Sequence, residues 1–387
     1  MWSRGSAPVR TCWVWTRSLR ISAPAPPDAR EARGVSLRAR LADEGVDGLL
    51  VTHAPNVRYL TGFTGTAGVA LVLPDETVLV TDFRYATQAP PEVGAIARVE
   101  IAEQDVWDRV VRLLTPRGRG FAVGFEEDAV TVGGARRLAE LGSGVDFRPM
   151  GGMVEALRLR KDPAEVAAIR QAAALASDAL ATALPAIRPG VTEVAIAVAL
   201  ESALRRAGSE WHPFPTIVAS GPRSALPHAR TSTRVVEPGD LVLVDFGARV
   251  DGYCADLTRT LVVGRADERQ RVVYELVREA QAAALAGLRA GLEGREADAL
   301  ARGVIEARGF GDAFGHSLGH GLGLEVHEAP RLSRANTSHV PEDAVVTVEP
   351  GVYLPGWGGV RIEDDVRVTA RGAELLSDGR TELVELT

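Results

Sequence analysis

The 387-residue chain has almost no cysteine. Cys12 and Cys254 are the only two, which excludes a disulfide framework and gives no sign of an oxidising compartment, so a cytoplasmic protein is expected. It also lacks a basic surplus. Its 44 Lys and Arg stand against 51 Asp and Glu, for a formal charge of -7. Phosphate affinity needs a Lys/Arg excess on some face, so no nucleic-acid partner is expected. No apolar run approaches the ~20 residues of a membrane span, and no membrane partner is expected either. What remains is ordinary for a soluble globular protein, with 46% hydrophobic and 25% charged residues. The length allows two or three domains with sizeable cores.

The first thirty residues differ from the rest. They carry Arg4, Arg10, Arg17 and Arg20, and no acid before Asp28. Their longest apolar run, Cys12 to Trp15, falls short of the ~7–15-residue core of a signal peptide. Arg-rich, acid-poor composition is also that of an organelle transit peptide. Residues 1–30 are expected to be a disordered or mis-started extension, closed by the stiff "SAPAPPDAR".

Residues 31–150 alternate short apolar runs with helical patterns, as an α/β domain does. "VDGLLVT", the two halves of "GVALVLPDETVLVTD" around Pro-Asp-Glu, and "FAVGFEED" read as strands. A Gly-rich break, "LGSGVDFRPMGG", follows. From residue 153 to 387 the pattern is α+β. Asp162-Pro163-Ala164-Glu165 is a helix start with an N-cap, Pro at N1 and an acid at N3. Helices are expected from there to about Pro185, from Thr192 to Ala207, from Asp267 to Ala290 and from Glu296 to Arg308, with β-hairpins between and after them.

One stretch poses a question. "FGHSLGHGLGLEVHE" (Phe314–Glu328) holds three of the seven histidines. Gly315-His316-Ser317-Leu318-Gly319 fits a serine nucleophile elbow, whereas His316 and His320 have the i,i+4 spacing of metal ligands. The elbow needs a strand before the serine and a helix after it. Gly319, Gly321 and Gly323 oppose that helix, and a helical H-E-x-x-H site fails for the same reason.

The metal reading gains from two acid pairs. "DLVLVDFGARVDGYCADLTRTLVV" is a hairpin about Asp251-Gly252. A two-residue loop there sets Asp245 opposite Thr258 and Asp256 opposite Gly247, making the two acids diagonal neighbours ~5–8 Å apart on one face. Leu241 and Leu243 share that face, so it should be buried. Buried carboxylates this close repel unless a positive charge lies between them; the alternative is a solvated surface pair. "AVVTVEPGVYLPGWGGVRIEDDVRV" repeats the pattern, because a three-residue loop centred on Gly356 places Glu349 opposite Glu363. Four carboxylates and one imidazole suit two divalent ions with bridging carboxylates.

Asp245, Asp256, His320, Glu349 and Glu363, in "LVDFGARVDGYCADLTRT", "GHGLGLEVHE", "VTVEPGVY" and "GVRIEDD", resemble the dinuclear metallopeptidases of pita-bread fold. That family comprises methionine aminopeptidase, Xaa-Pro aminopeptidase and Xaa-Pro dipeptidase. "FPTIVASGPRSALPHAR", "NVRYLTGFTGTAG" and "TDFRYATQA" look like the Xaa-Pro branch, with a creatinase-like N-terminal domain. The resemblance implies that Asp245 chelates one ion, His320 and Glu349 bind the other, and Asp256 and Glu363 bridge both. It implies manganese, with cobalt or zinc accepted, and a hydroxide shared by two divalent ions that attacks the bond before a proline at the second position. Glu349 would be general base. His327 would donate to the developing oxyanion, and His228 would assist the departing nitrogen. His316 and Arg361 would face the substrate, with Arg361 otherwise orienting Glu363, and the chain would form a homodimer. His53, His212 and His339 stay unassigned. The rivals are a dipeptidase restricted to Xaa-Pro dipeptides and a non-peptidase relative, either a binding module or a metal-free amidinohydrolase.

Overall fold

The computed structural model describes residues 27–386, so most of the expected N-terminal extension lies outside the described residues. The first helix, α1, begins at Pro27 and runs to Asp43, and its Arg30 is already part of the folded domain, donating to the Thr61 carbonyl at 2.6 Å. There follow β1 (Gly48–Val51), α2 (Ala54–Thr61), β2 (Gly68–Val72), β3 (Thr77–Asp82), α3 (Ala89–Val93), β4 (Arg98–Ala102), α4 (Val106–Leu114), β5 (Ala122–Glu126), α5 (Val132–Leu141) and β6 (Asp146–Met150). The six strands form one mixed sheet in the order β4-β3-β2-β1-β5-β6. Leu37, Val57 and Leu60 from α1 and α2 pack on one face, and Val110, Leu114 and Leu138 from α4 and α5 on the other. Strand β6 lies inside the segment expected to be a Gly-rich break. It is an edge strand beside β5, where Pro149 can sit because no further strand needs its missing N–H.

The second half opens with α6 (Glu155–Arg158) and α7 (Pro163–Ala183). The predicted cap of α7 forms in full. Asp162 accepts from the amides of Ala164 and Glu165, and Glu165 accepts in return from the amide of Asp162, each at 2.9 Å. Then come α8 (Glu193–Ala207), β7 (Ile217–Ser220), β8 (Leu241–Phe246), β9 (Arg249–Val250), β10 (Tyr253–Cys254), β11 (Leu257–Val263), α9 (Glu268–Gly287) and α10 (Gly294–Ala307). The remaining strands are β12 (Gly319–Gly321), β13 (Glu328–Leu332), β14 (Val345–Val348), β15 (Gly351–Leu354), β16 (Gly358–Arg361), β17 (Asp364–Thr369), β18 (Gly372–Leu375) and β19 (Val384–Leu386). Two larger sheets result, ordered β19-β11-β8-β7 and β13-β12-β14-β17-β18, beside the two-stranded β9-β10 and β15-β16. Helices α7 and α8 cover the first through Ala172, Ala176 and Leu200. Helices α9 and α10 cover the second through Val277, Ala280 and Ala301. A bridge between Thr258 and Glu363 joins the sheets. Among the described residues no helix is long and apolar enough to cross a membrane.

Both predicted hairpin registers form. Thr258 pairs with Asp245, and the same register continues through Tyr253 opposite Val250. Asp251 and Gly252 turn the chain with φ of 49° and 79°, as a two-residue type I′ loop requires. In the second hairpin Val345 pairs with Arg367 and Val348 with Asp364, then Gly351 with Arg361 and Leu354 with Gly358. One register thus spans two separate ladders, and Glu349 and Glu363 stand opposite each other at the break between them.

Candidate metal centre

The five expected ligands come from five places in the chain and line one cleft of about 980 Å³. Asp245 is near the end of β8, Asp256 directly precedes β11, His320 is the middle of β12, Glu349 follows β14 and Glu363 precedes β17. The glycines about His320 have a packing reason. A Cβ on Gly319 would lie 2.0 Å from the Thr347 carbonyl oxygen, and one on Gly321 would lie 2.1 Å from that of Ala329. Only glycine lets β12 press between its neighbours and carry His320 to the acids.

One atom each from Asp256, His320 and Glu363 lie within 4.8 Å of one another. His320 Nε2 is 3.7 Å from Asp256 Oδ2 and 3.5 Å from Glu349 Oε1. These gaps are too long for good hydrogen bonds and suit ligands gathered about a common ion with bonds of ~2 Å. His320 Nδ1 lies 3.1 Å from its neighbour's carbonyl, Gly321 O. A proton on Nδ1 satisfies that contact and leaves the Nε2 lone pair facing the acids. Asp245 Oδ1 and Asp256 Oδ1 are buried without any hydrogen-bond partner. Buried carboxylate oxygens with nothing to accept from are costly, and a divalent cation is the partner that their chemistry fits.

The electrostatics agree. Burial, followed by the charges of Glu363 and Asp245, pushes the Asp256 carboxyl well above its ordinary range. Burial and Glu363 do the same to Glu349. Glu363 is pushed up to about 8 by burial and Asp245. Asp245 is also raised by burial, against the opposing pull of Arg361. Burial and the nearby His327 push His320 down to about 4, which favours the neutral, ligand-ready imidazole.

Arg361 lines the cleft and bonds chiefly to the other hairpin. Its Nη2 lies 2.5 Å from Asp245 Oδ2, its Nε donates to Thr258 Oγ1 at 3.0 Å, and its Nη1 reaches Pro227 O and Tyr353 Oη. Glu363 is held instead by Thr258, whose hydroxyl donates to Oε2 at 2.6 Å. The guanidinium is therefore committed to Asp245 and reaches Glu363 only through Thr258. His316 joins this set, with Nε2 2.9 Å from Tyr353 Oη. His228 is exposed at the cleft mouth. His327, seven residues past His320, folds back until the two rings are 4.3 Å apart.

Sequence reasoning missed Tyr353, Thr258, Thr347 and Arg331. Thr347 bonds both the His320 amide and Glu349 Oε1, at 3.1 and 3.3 Å. The face parity that selects the acids sets Thr258 opposite Asp245 but gives the threonine no part in the site. The elbow does not exist, because Ser317 leads into the short strand β12 and not into a helix.

A buried nest of acids with one imidazole, set between two hairpins, is a donor set that can hold a divalent ion. The family model of metallopeptidase family M24 matches residues 167–370, and that of the creatinase/prolidase N-terminal domain matches residues 33–160. An Xaa-Pro dipeptidase of Pyrococcus horikoshii is 35% identical over 341 residues, covering 88% of this chain and 95% of that one. Solved structures match as well. An Xaa-Pro dipeptidase from Bacillus anthracis is 41% identical with a TM-score of 0.89, covering 92% and 100% of the two chains. An X-Pro aminopeptidase from Thermotoga maritima is 37% identical with a TM-score of 0.85, covering 91% and 99%. The chain belongs to metallopeptidase family M24, with a creatinase-type N-terminal domain ahead of a pita-bread catalytic domain.

Proposed function

We propose that this chain is an Xaa-Pro aminopeptidase, cleaving the bond before a proline at the second position of a peptide. The observation that carries the reading is the convergence of Asp245, Asp256, His320, Glu349 and Glu363 on one cleft, with two aspartate oxygens orphaned in it. Asp245 would hold one divalent ion, His320 and Glu349 the other, and Asp256 and Glu363 both. Manganese suits an oxygen-rich set with a single imidazole, and cobalt or zinc would be accepted. Such ions, when bound, supply an acidified water and an electrophile for the scissile carbonyl.

The chain's own groups do the rest. Glu349, whose side chain is 15% open against 12% for Asp245 and 8% for Asp256, takes up the proton that leaves the attacking water. His327 donates to the carbonyl oxygen as it becomes negative. His228 supports the departing prolyl nitrogen. An Xaa-Pro bond offers no N–H and a fixed φ, so the substrate must be seated by shape and by its ends. A second cavity of about 750 Å³ shares His316 and Ser317 with the cleft and gives room for residues beyond the proline. A homodimer in the cytoplasm completes the reading.

A specific observation favours the dipeptidase as second reading. Arg331 lines the cleft from the strand position opposite His320, and no acid of the described residues lies within ion-pair distance of it. A cation so placed suits the C-terminal carboxylate of a dipeptide. Turnover of Xaa-Pro and Xaa-Pro-Xaa peptides, beside metal analysis of purified protein, tests both. Two equivalents of metal with cleavage of the longer peptide support the aminopeptidase; cleavage of dipeptides alone supports the alternative. A metal-free protein that cleaves neither would sink both.

A further inference from the structure

The loop that carries His327 is held by the N-terminal domain and by the segment that opens the second half. It joins β12 to β13, and the strand register shifts between His320 and Gly321. Its Leu324 is 3% exposed and belongs to the same hydrophobic core as Leu37, Val57 and Tyr59 of the N-terminal domain. The residues on either side of His327 are tied down by charge. Glu325 lies 3.0 Å from His53 of the N-terminal domain and 2.8 Å from Arg158 of the segment between the domains. Glu328 pairs with Arg158 and, at 3.3 Å, with Lys161. It also accepts from the Glu325 amide at 3.0 Å, which closes the loop on itself. Arg158 in turn donates to Asn56 Oδ1 at 2.7 Å, and Asn56 donates to Glu126 at 2.7 Å. A polar chain therefore runs from β5 of the N-terminal sheet to the bend that brings His327 over His320.

Lys161 is the sharpest feature of this seam. Among 44 Lys and Arg residues it is the single lysine, and its side chain is 1% exposed. A compact ammonium fits where the broad guanidinium fork would need more space and more acceptors. Two buried cations on one carboxylate leave Glu328 a single position, and an ion pair this deep is costly unless its geometry is used.

We infer that the seam between the domains positions His327, with Lys161 and Arg158 as positioning residues that act through Glu328. This rests on the role given to His327 in the proposed function. The N-terminal domain would thereby contribute to turnover without touching the substrate.

A double-mutant cycle on the full-length, metal-loaded protein tests it. Lys161→Met leaves Arg158 on Glu328, and is expected to lower kcat about tenfold with KM and metal content unchanged. In a His327→Ala background the same change is expected to cost less than about twofold, since there is no imidazole left to misplace. A full tenfold loss in both backgrounds overturns the inference, because Lys161 would then act elsewhere. A His327→Ala protein with undiminished kcat overturns the role of His327 itself, an outcome visible before the second substitution is made. Should Lys161→Met fail to fold, His53→Ala removes a partly exposed member of the seam from the other domain. It is expected to cost about threefold in the native background and nothing beside His327→Ala, and equal losses in both would again overturn the inference.

Discussion

The phenol of Tyr353 lies 2.9 Å from His316 Nε2, and that contact decides which nitrogen of the histidine carries the proton. Arg361 has only donors, so its Nη1 must give a hydrogen to Tyr353 Oη, 2.9 Å away. The phenol's own hydrogen is then free for His316, whose Nε2 accepts. Nδ1 carries the proton and meets the Ser317 carbonyl at 2.8 Å. Burial, followed by the charge of Arg361, pushes His316 down to about 4, so it is neutral at physiological pH.

Tyr353→Phe should therefore disturb His316 without touching the acids. We expect about a tenfold fall in kcat/KM with metal content unchanged. Nitrogen NMR of the native protein should show a neutral His316 protonated at Nδ1. A charged ring, or a proton on Nε2, would contradict the hydrogen-bond chain.

The two neighbouring histidines should separate by phenotype. His320→Ala should lose bound metal. His327→Ala should keep it and lose about 10²–10³-fold in kcat with little change in KM, as a donor used mainly in the transition state does. Metal analysis of both variants decides the matter; depletion in His327→Ala would make His327 a ligand.

Ser317 should be dispensable for bond cleavage. Ser317→Ala is expected to keep kcat within about tenfold, where loss of a true nucleophile costs many decades. Covalent labelling of Ser317 by a serine-directed phosphonate would reverse this.

Removal of metal should make stability depend on pH in a defined window. Glu363, raised from 4.5 to about 8, binds its proton more tightly in the folded chain than in the unfolded one. Its stabilising contribution is therefore full below pH ~4.5 and lost as pH rises through about 8. His316 and His320, lowered from 6.5 to about 4, work the other way, and their contribution is lost as pH falls below ~6.5. Between pH ~6.5 and ~8 the acids dominate, so the Tm of chelated protein should fall. Added manganese, which binds the deprotonated acids, should raise Tm more at pH 8 than at pH 6.5. Calorimetry at the two pH values checks this, and equal gains would count against an acid-built site.

How far the sequence reaches depends on the range of each interaction. Asp251-Gly252 sets one register and the Pro355–Trp357 loop the other, because side chains alternate strictly along a strand and the turn length fixes what faces what. That is why both acid pairs could be found from spacing. The capping box at Asp162 was legible for the same reason, since all its bonds lie within four residues. Strand β6 was not. Its Gly-rich flanks and Pro149 read as a break, and only the neighbouring β5 makes it a strand.

By itself, then, the sequence determined which residues share a face and where each hairpin turns. Tertiary structure alone decided how faces of separate hairpins meet. Arg361 lies two residues before Glu363, yet its guanidinium crosses to Asp245 of the other hairpin. Leu324, deep in the catalytic half of the sequence, belongs to a core built mostly from the N-terminal domain. Neither follows from a local period, because a long side chain goes where burial leaves it a partner, and that partner is chosen by the packing of elements far apart in the chain.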